Sequence, residues 1–328
     1  MSTSMETKTK SLYRTHRPRQ FKDVVGQEHV TKTLMNQIAN GKTTHAYLFC
    51  GTRGTGKTSV AKIFAKEVNG GTQCDLDVLE LDAASNNGVD AVRELIEKVK
   101  YPPVQAKYKV YIVDEVHMFS TAAFNALLKT LEEPPLHAIF ILATTEPHKL
   151  LPTVLSRCLR FDFRAASTDE IKIVLAKALK KENISAESVA IQLIAEAAGG
   201  SFRDALSLAE TVASYTNGNI TTEAVTKILG AVDKKILGNL FEAIKNKEPK
   251  NIRKIVNDIF AVGRNINAVI KDFLEIVKDF YIESGPGTVL GVTAMQIYRV
   301  FAELEQNIKT AADTRSMFEG ACLLCTMK

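Results

Sequence analysis

Gly51-Thr52-Arg53-Gly54-Thr55-Gly56-Lys57-Thr58 follows directly on the apolar run Ala46-Tyr47-Leu48-Phe49-Cys50. The octapeptide matches G-x-x-x-x-G-K-[ST], and the run before it reads as a buried parallel strand. Ser59 to about Val68 reads as an amphipathic helix. Strand, glycine loop and helix in that order is the context a phosphate-binding loop requires. The glycines let backbone N–H groups turn inward around a polyphosphate, and the helix N-terminus adds partial positive charge. Lys57 is placed to reach the β- and γ-phosphates, and the Thr58 hydroxyl to ligate Mg²⁺. The chain is expected to bind a nucleoside triphosphate, ATP, along Gly51 to Ser59.

Outward from this loop, residues 24 to 165 alternate apolar strands with helical stretches. Strands are expected at Ala46–Cys50, Val78–Asp82, Lys109–Asp114, Ala138–Ala143 and Leu159–Phe163. Helices are expected near His29–Asn40, Lys57–Val68, Val89–Lys100 and Thr121–Glu132. Phe124, Leu127, Leu128 and Leu131 recur at i, i+3, i+4 and i+7, a buried helix face. Such alternation implies a parallel sheet covered on both faces. After about Arg164 the chain reads as helices alone. Asp169–Glu182, Ala186–Ala198 and Ser201–Tyr215 would make a small three-helix domain, with Gly199-Gly200 as a stop. Later helical segments break at Gly263 and at Gly285-Pro286-Gly287, and Ile252, Ile255, Val256 and Ile259 have bundle spacing. The expected domains are a disordered tail at 1–10, an α/β nucleotide domain at 11–166, a three-helix domain at 167–228 and a helical bundle at 229–328.

Val110-Tyr111-Ile112-Val113-Asp114-Glu115 is an apolar strand ending in two carboxylates. Its end lies at the rim where the phosphate loop also sits. Asp114 is therefore placed to hold the Mg²⁺ shell, and Glu115 to polarise an attacking water. An acid at the second position favours hydrolysis over binding alone. His117 completes D-E-V-H, a weak pointer to helicases. Ile139 to Thr145 is a further strand ending in hydroxyls. Thr145 reads equally as a γ-phosphate contact or as a strand end satisfied by backbone. Arg157, in Ser156-Arg157-Cys158, reads as a surface cation, or as a finger that would need a second nucleotide to stabilise. Arg203 opens a helix, where the dipole prefers acids, which makes it a candidate for a ligand-facing charge.

Composition bounds the rest. The chain has 328 residues, enough for two or three domains. No stretch approaches a membrane span, and no signal-peptide core is evident, so a cytoplasmic location is expected. The formal charge of +5 permits nucleic-acid contact without demanding it. Cys50 and Cys158 lie in apolar runs and are expected in the core, in a reducing compartment. Cys322 and Cys325 lack a second ligand pair and read as two cysteines on one helix.

Together these runs resemble the AAA+ ATPases, and within them the clamp-loader subunits of the γ/τ type from bacterial DNA polymerase III. The likeness is carried by Tyr13-Arg14-x-x-Arg17-Pro18 with Phe21-x-Asp23-Val24-Val25-Gly26-Gln27, the phosphate loop, Leu81-Asp82-Ala83-Ala84-Ser85, D-E-V-H-M and Phe124 to Pro135. It continues through Ala143-Thr144-Thr145, Ser156-Arg157-Cys158 and Gly200 to Leu206. The resemblance implies an AAA+ α/β domain, a three-helix lid and an all-α collar. It makes Thr145 sensor 1, Arg203 sensor 2 and Arg157 an arginine finger acting in trans. It lays Tyr13, Arg14, Val25 and Gly26 against adenine. It implies a hetero-pentameric ring with δ- and δ′-like subunits and further γ/τ copies, acting with the sliding clamp, primed-template DNA and the polymerase III core. Arg93 is a candidate for sequence-independent phosphate contact with DNA, or a solvated helix cation. The family usually carries a zinc module after the phosphate-loop helix. Here Asn69 to Asp75 holds one cysteine, Cys74, so no zinc is expected. Regions of the τ form that contact helicase and polymerase are not represented, so a bridging role is not expected. The alternatives are a DNA motor such as a branch-migration helicase, and a non-hydrolysing, δ′-like structural subunit.

Overall fold

β1 (Ala46–Cys50), β2 (Val78–Asp82), β3 (Lys109–Asp114), β4 (Ala138–Thr144) and β5 (Leu159–Asp162) form one parallel sheet in the order β2-β3-β4-β1-β5. The computed structural model describes residues 11–71, 75–229, 234–261, 266–285, 287–308, 311 and 313–327. The expected tail at 1–10, Cys74, Gly263 and Pro286 lie outside the described residues. The chain divides into two compact units, one up to Thr221 and one from Thr222 on.

In the first unit, β1 sits between β4 and β5, with Leu48 level with Leu142 on one side and Arg160 on the other. Side chains alternate across the sheet. Tyr47, Phe49, Ile112 and Ile141 bury one face together with Val60 and Phe64 of α3 (Lys57–Val68) and Val30 and Leu34 of α2 (Glu28–Ala39), which follows the short α1 (Leu12–Thr15). Leu48, Val113, Phe140 and Leu142 bury the other face, against Val92 and Leu95 of α4 (Val89–Val99) and Phe124 and Leu127 of α5 (Thr121–Glu132). Each such side chain contributes about 1.5–3 kcal/mol through burial. Both faces are covered, so β1 and β4 are buried throughout rather than alternating. The expected elements fall within a residue or two of their observed ends. Leu128 and Cys158 are half-buried against this core.

After α6 (Pro152–Leu155) and β5, three helices complete the unit: α7 (Thr168–Lys181), α8 (Ser188–Ala197) and α9 (Phe202–Tyr215). Ser167 caps α7 in a capping box with Glu170. The Glu170 carboxylate also receives the Arg164 guanidinium, at 3.0 and 2.5 Å, which fastens the incoming chain to the helix. Gly200 has φ +86, and a Cβ there would stand 2.7 Å from the Ala165 Cβ. Glycine is required for that approach. β6 (Ser185–Ala186) and β7 (Asn219–Ile220) pair in parallel beside these helices.

The second unit is helical: α10 (Thr222–Leu229), α11 (Lys234–Lys245), α12 (Pro249–Ala261), α13 (Ile266–Ser284), α14 (Val289–Asn307) and α15 (Thr314–Met327). Ile252, Ile255, Val256 and Ile259 of α12 are buried, as their spacing indicates. A run of rings joins the helices, Phe241 to Phe273 at 6.4 Å, Phe273 to Phe301 at 4.5 Å and Phe301 to Phe318 at 5.7 Å. Cys322 is buried on α15 and Cys325 half-buried one turn on. Among the described residues no helix is long and apolar enough to cross a membrane.

Candidate functional site

β4 separates β1 from β3, so the loop after β1 and the acids ending β3 meet across the end of β4. Gly54 and Gly56 take φ +78 and +104, values an L side chain rarely adopts. Gly51 lies against Phe163, whose carbonyl oxygen would be 2.4 Å from a Cβ. The loop therefore curls tightly into the N-terminus of α3. Lys57 is buried and folds back, its Nζ donating to the carbonyls of Gly51 (2.7 Å) and Thr52 (3.0 Å). Burial holds its pKa below the usual lysine value, and Glu115 and Asp114 oppose that shift.

The Thr58 hydroxyl donates to Asp114 Oδ2 at 2.7 Å. A hydroxyl and a carboxylate oxygen paired this closely suit a shared Mg²⁺, which keeps most of its shell as water and phosphate. Glu115, next after β3, sits on a left-handed backbone with φ 49. Its Oε2 accepts from the Thr145 hydroxyl at 3.0 Å. Such a backbone costs about 1–2 kcal/mol outside glycine and clusters at working sites.

A cavity of about 1260 Å³ opens over these groups. Tyr13, Arg14, Val25, Arg53 to Ser59, Asp114, Glu115 and Arg203 line it. Gly26, Gly51, Thr52 and Thr145 do not line it; Gly26 packs instead on the Glu170 carboxylate, 2.9 Å from where a Cβ would be. The far wall comes from α7 and α9. Phe202 N–H donates to the Gly54 carbonyl at 3.1 Å, and Ser201 caps α9 by accepting from Asp204 N–H at 3.2 Å. This seat brings Arg203, in the first turn of α9, over the cavity. Its guanidinium carbon stands 5.8 Å from the Tyr13 ring centre, and that of Arg14 stands 5.7 Å from it. The hydrogen bond from Arg14, first, and one from Ser11 hold the Tyr13 hydroxyl below its usual pKa.

α1 and its continuation tie the two walls. Leu12 N–H donates to Glu210 Oε2 on α9 (3.0 Å), and His16 Nε2 meets Glu182 Oε1 after α7 (2.8 Å). Arg17 Nε donates to the Ser59 hydroxyl at 2.8 Å. Arg17 was readable only as part of a motif, without a role. It lines the cavity, and burial lowers its pKa despite Glu80 nearby. The Arg-Pro pair ahead of a one-turn helix was the available signal.

Arg157 does not line this cavity. It is held by Glu132 Oε1 at 2.5 Å and by the Thr153 carbonyl at 2.6 Å. Arg93, on α4, pairs with Asp90 at 3.3 Å and is well exposed. Among the described residues no group of three or more His, Cys, Asp or Glu is placed to hold a metal ion.

Three family profiles match in succession. One described as DNA polymerase III, delta subunit, covers residues 26–77 and 66–167. One for the DNA polymerase III clamp loader subunit ATPase lid domain covers 170–218. One for domain III of DNA polymerase III subunits gamma and tau covers 220–287. The chain is 43% identical to DNA polymerase III subunit tau of Bacillus subtilis over 92% of its own length and 57% of that protein. It is 37% identical to DNA polymerase III subunit gamma of Buchnera aphidicola, over 81% of this chain and 79% of that one. The chain thus spans about half the length of the tau relatives it matches. The Thermotoga maritima RuvB Holliday junction branch migration motor shares the fold, with a TM-score of 0.54 and 22% identity over 70% of this chain and 80% of that one. Identity and coverage against the gamma and tau subunits, with the loop, acids and lid all in place, put this chain in the DNA polymerase III gamma/tau clamp-loader family of AAA+ proteins.

Proposed function

We propose that this chain is an ATP-hydrolysing motor subunit of a clamp loader, whose ATP cycle drives placement of a sliding clamp on primed DNA. The observation that carries this reading is the convergence of Lys57, the Thr58–Asp114 pair, Glu115 and Arg203 on one cavity, with Thr145 hydrogen-bonded to Glu115. The loop amides, Lys57 and Arg203 would bind the phosphates, while Tyr13, Arg14 and Val25 would flank the base. Thr58 and Asp114 would hold Mg²⁺, which neutralises phosphate charge when bound. Glu115 would orient the attacking water, with Thr145 steering its carboxylate. Arg203 would report γ-phosphate to the lid, since α9 is seated on Gly54.

Arg157 does not line its own chain's cavity. That favours delivery to a neighbour's nucleotide, so that hydrolysis requires assembly. On this reading residues 11–166 are the nucleotide domain, 167–228 the lid and 229–328 the collar. The partners are δ- and δ′-like subunits, further γ/τ copies, the clamp, primed DNA and the polymerase III core, in the cytoplasm. Arg93 is a phosphate contact in this assembly. Zinc is left out, because Cys74 is the one cysteine between Asn69 and Asp75.

An ATPase assay of the chain with partner subunits, clamp and primed DNA tests the reading. Stimulated turnover that disappears with Glu115→Gln, while ATP binding persists, is expected. Turnover indifferent to clamp and primed DNA, or strand separation by the chain alone, would overturn it. An intact Lys57, Asp114 and Glu115 set speaks against a δ′-like structural role.

A further inference from the structure

We infer that His117 is a positioning residue for Glu115, held in place by Thr144 and Glu146. The inference rests on the hydrolytic reading of Glu115. The His117 side chain is only 6% exposed, yet it stands between two carboxylates from different elements. Its Nδ1 is 3.5 Å from Glu115 Oε2, and its Nε2 is 3.4 Å from Glu146 Oε1. Nδ1 is also 3.0 Å from Thr144 Oγ1, which itself accepts from Glu146 N–H at 3.0 Å. One of the Thr144 oxygen's lone pairs is thus engaged, and its proton is free to point at Nδ1. We assign the ring's own hydrogen to Nε2, facing Glu146, with the Thr144 hydroxyl donating to Nδ1.

The consequence falls on Glu115. In this tautomer Nδ1 has no proton to offer, so the ring does not bind the Glu115 carboxylate. It forms a wall behind it, and among the described residues the Glu115 carboxylate takes one side-chain hydrogen bond, from the Thr145 hydroxyl. A carboxylate held by one neutral donor turns easily toward a water. If Glu146 were lost, the ring could place its proton on Nδ1 and pin Glu115 by a charge-assisted hydrogen bond. If the ring were lost, Glu115 would gain room to swing back from the cavity. Either change misplaces the catalytic carboxylate and leaves the phosphate contacts alone. Beyond Glu146 the network reaches the surface, where Lys149 Nζ lies 2.9 Å from Glu146 Oε2.

The test uses steady-state ATP turnover and ATP affinity of the chain assembled with its partner subunits, clamp and primed DNA. His117→Ala and Glu146→Ala should each lower kcat by about 10- to 100-fold, the scale of a misplaced catalytic group, with KM and ATP affinity within about twofold. The double variant should lose no more than His117→Ala alone, because both act through one ring. His117→Gln, whose amide nitrogen can reach Glu146, should recover part of kcat and serves if the alanine variant fails to fold. The inference fails if Glu146→Ala keeps full kcat, if the losses multiply, or if KM rises and ATP affinity falls along with kcat. Wild-type turnover insensitive to Glu115→Gln would instead overturn the hydrolytic reading itself.

Discussion

Gly54→Ala separates the strain of the phosphate loop from the seating of the lid. At φ +78 an alanine costs roughly 1–2 kcal/mol in any folded state. A Cβ there would stand 1.9 Å from Ser201 Oγ and 3.0 Å from Ser201 Cβ. Rotating the hydroxyl away clears the first contact and forfeits the cap on α9, about 1 kcal/mol. The second contact persists, so the end of α9 must back off and its hydrogen bond to the Gly54 carbonyl weakens, about another 1 kcal/mol. Only these last two fall on the closed lid, the arrangement that brings Arg203 over the cavity. ATP affinity should therefore drop by about 2 kcal/mol, roughly 30-fold. With the lid free to open when no nucleotide is bound, global stability should fall by the strain alone, about 1–2 kcal/mol. Calorimetric titration with ATP reads the first quantity and urea unfolding the second. Ser201→Gly in the same chain removes both contacts at a few tenths of a kcal/mol of capping, about the cost of glycine at an N-cap. It should restore affinity while leaving the stability loss. Affinity within threefold of wild type for Gly54→Ala, or no recovery in the double variant, would refute the reasoning.

Two further outcomes follow from other parts of the first unit. Arg157 and Glu132 are partly exposed, at 32% and 48%, so Arg157→Ala should change stability by no more than about 1 kcal/mol. ATP affinity of the isolated chain should not move, while turnover of the assembled complex falls by about 10³-fold or more; a parallel loss of affinity in the isolated chain would argue against action in trans. Burial pushes the Cys158 thiol up to about 12 from 9.0. The folded chain thus keeps a proton that the unfolded chain releases, so this contribution is complete below pH 9 and is lost as pH rises toward 12. Between about pH 9 and pH 11 the urea midpoint of wild type should fall more steeply than that of Cys158→Ala; equal slopes would contradict the shift.

The nucleotide module was legible because its signals are contiguous. β1, the loop and α3 follow one another within Ala46–Val68, so local propensity, glycine placement and burial all agree. The same holds for Val110 to Glu115. Thr145 is ambiguous because a strand-end hydroxyl has the same local signature whether it meets backbone or a carboxylate. Its bond to Glu115 exists only because β4 lies beside β3. Arg17 went without a role for a similar reason, since Ser59, its partner, is 42 residues away. Packing also groups α10 with the second unit, from Thr222 on.

By itself the sequence determined the elements, the phosphate loop, the paired acids and the kinship with clamp-loader subunits, because periodicity and short motifs are properties of neighbouring residues. Tertiary structure alone decided that β4 separates β1 from β3, that Ser201 seats on Gly54, that Arg157 stays off its own cavity and that His117 is caught between Glu115 and Glu146. Ser201 on Gly54 and His117 on Glu146 join residues distant in the chain, and only the packing of the elements that carry them brings them within reach.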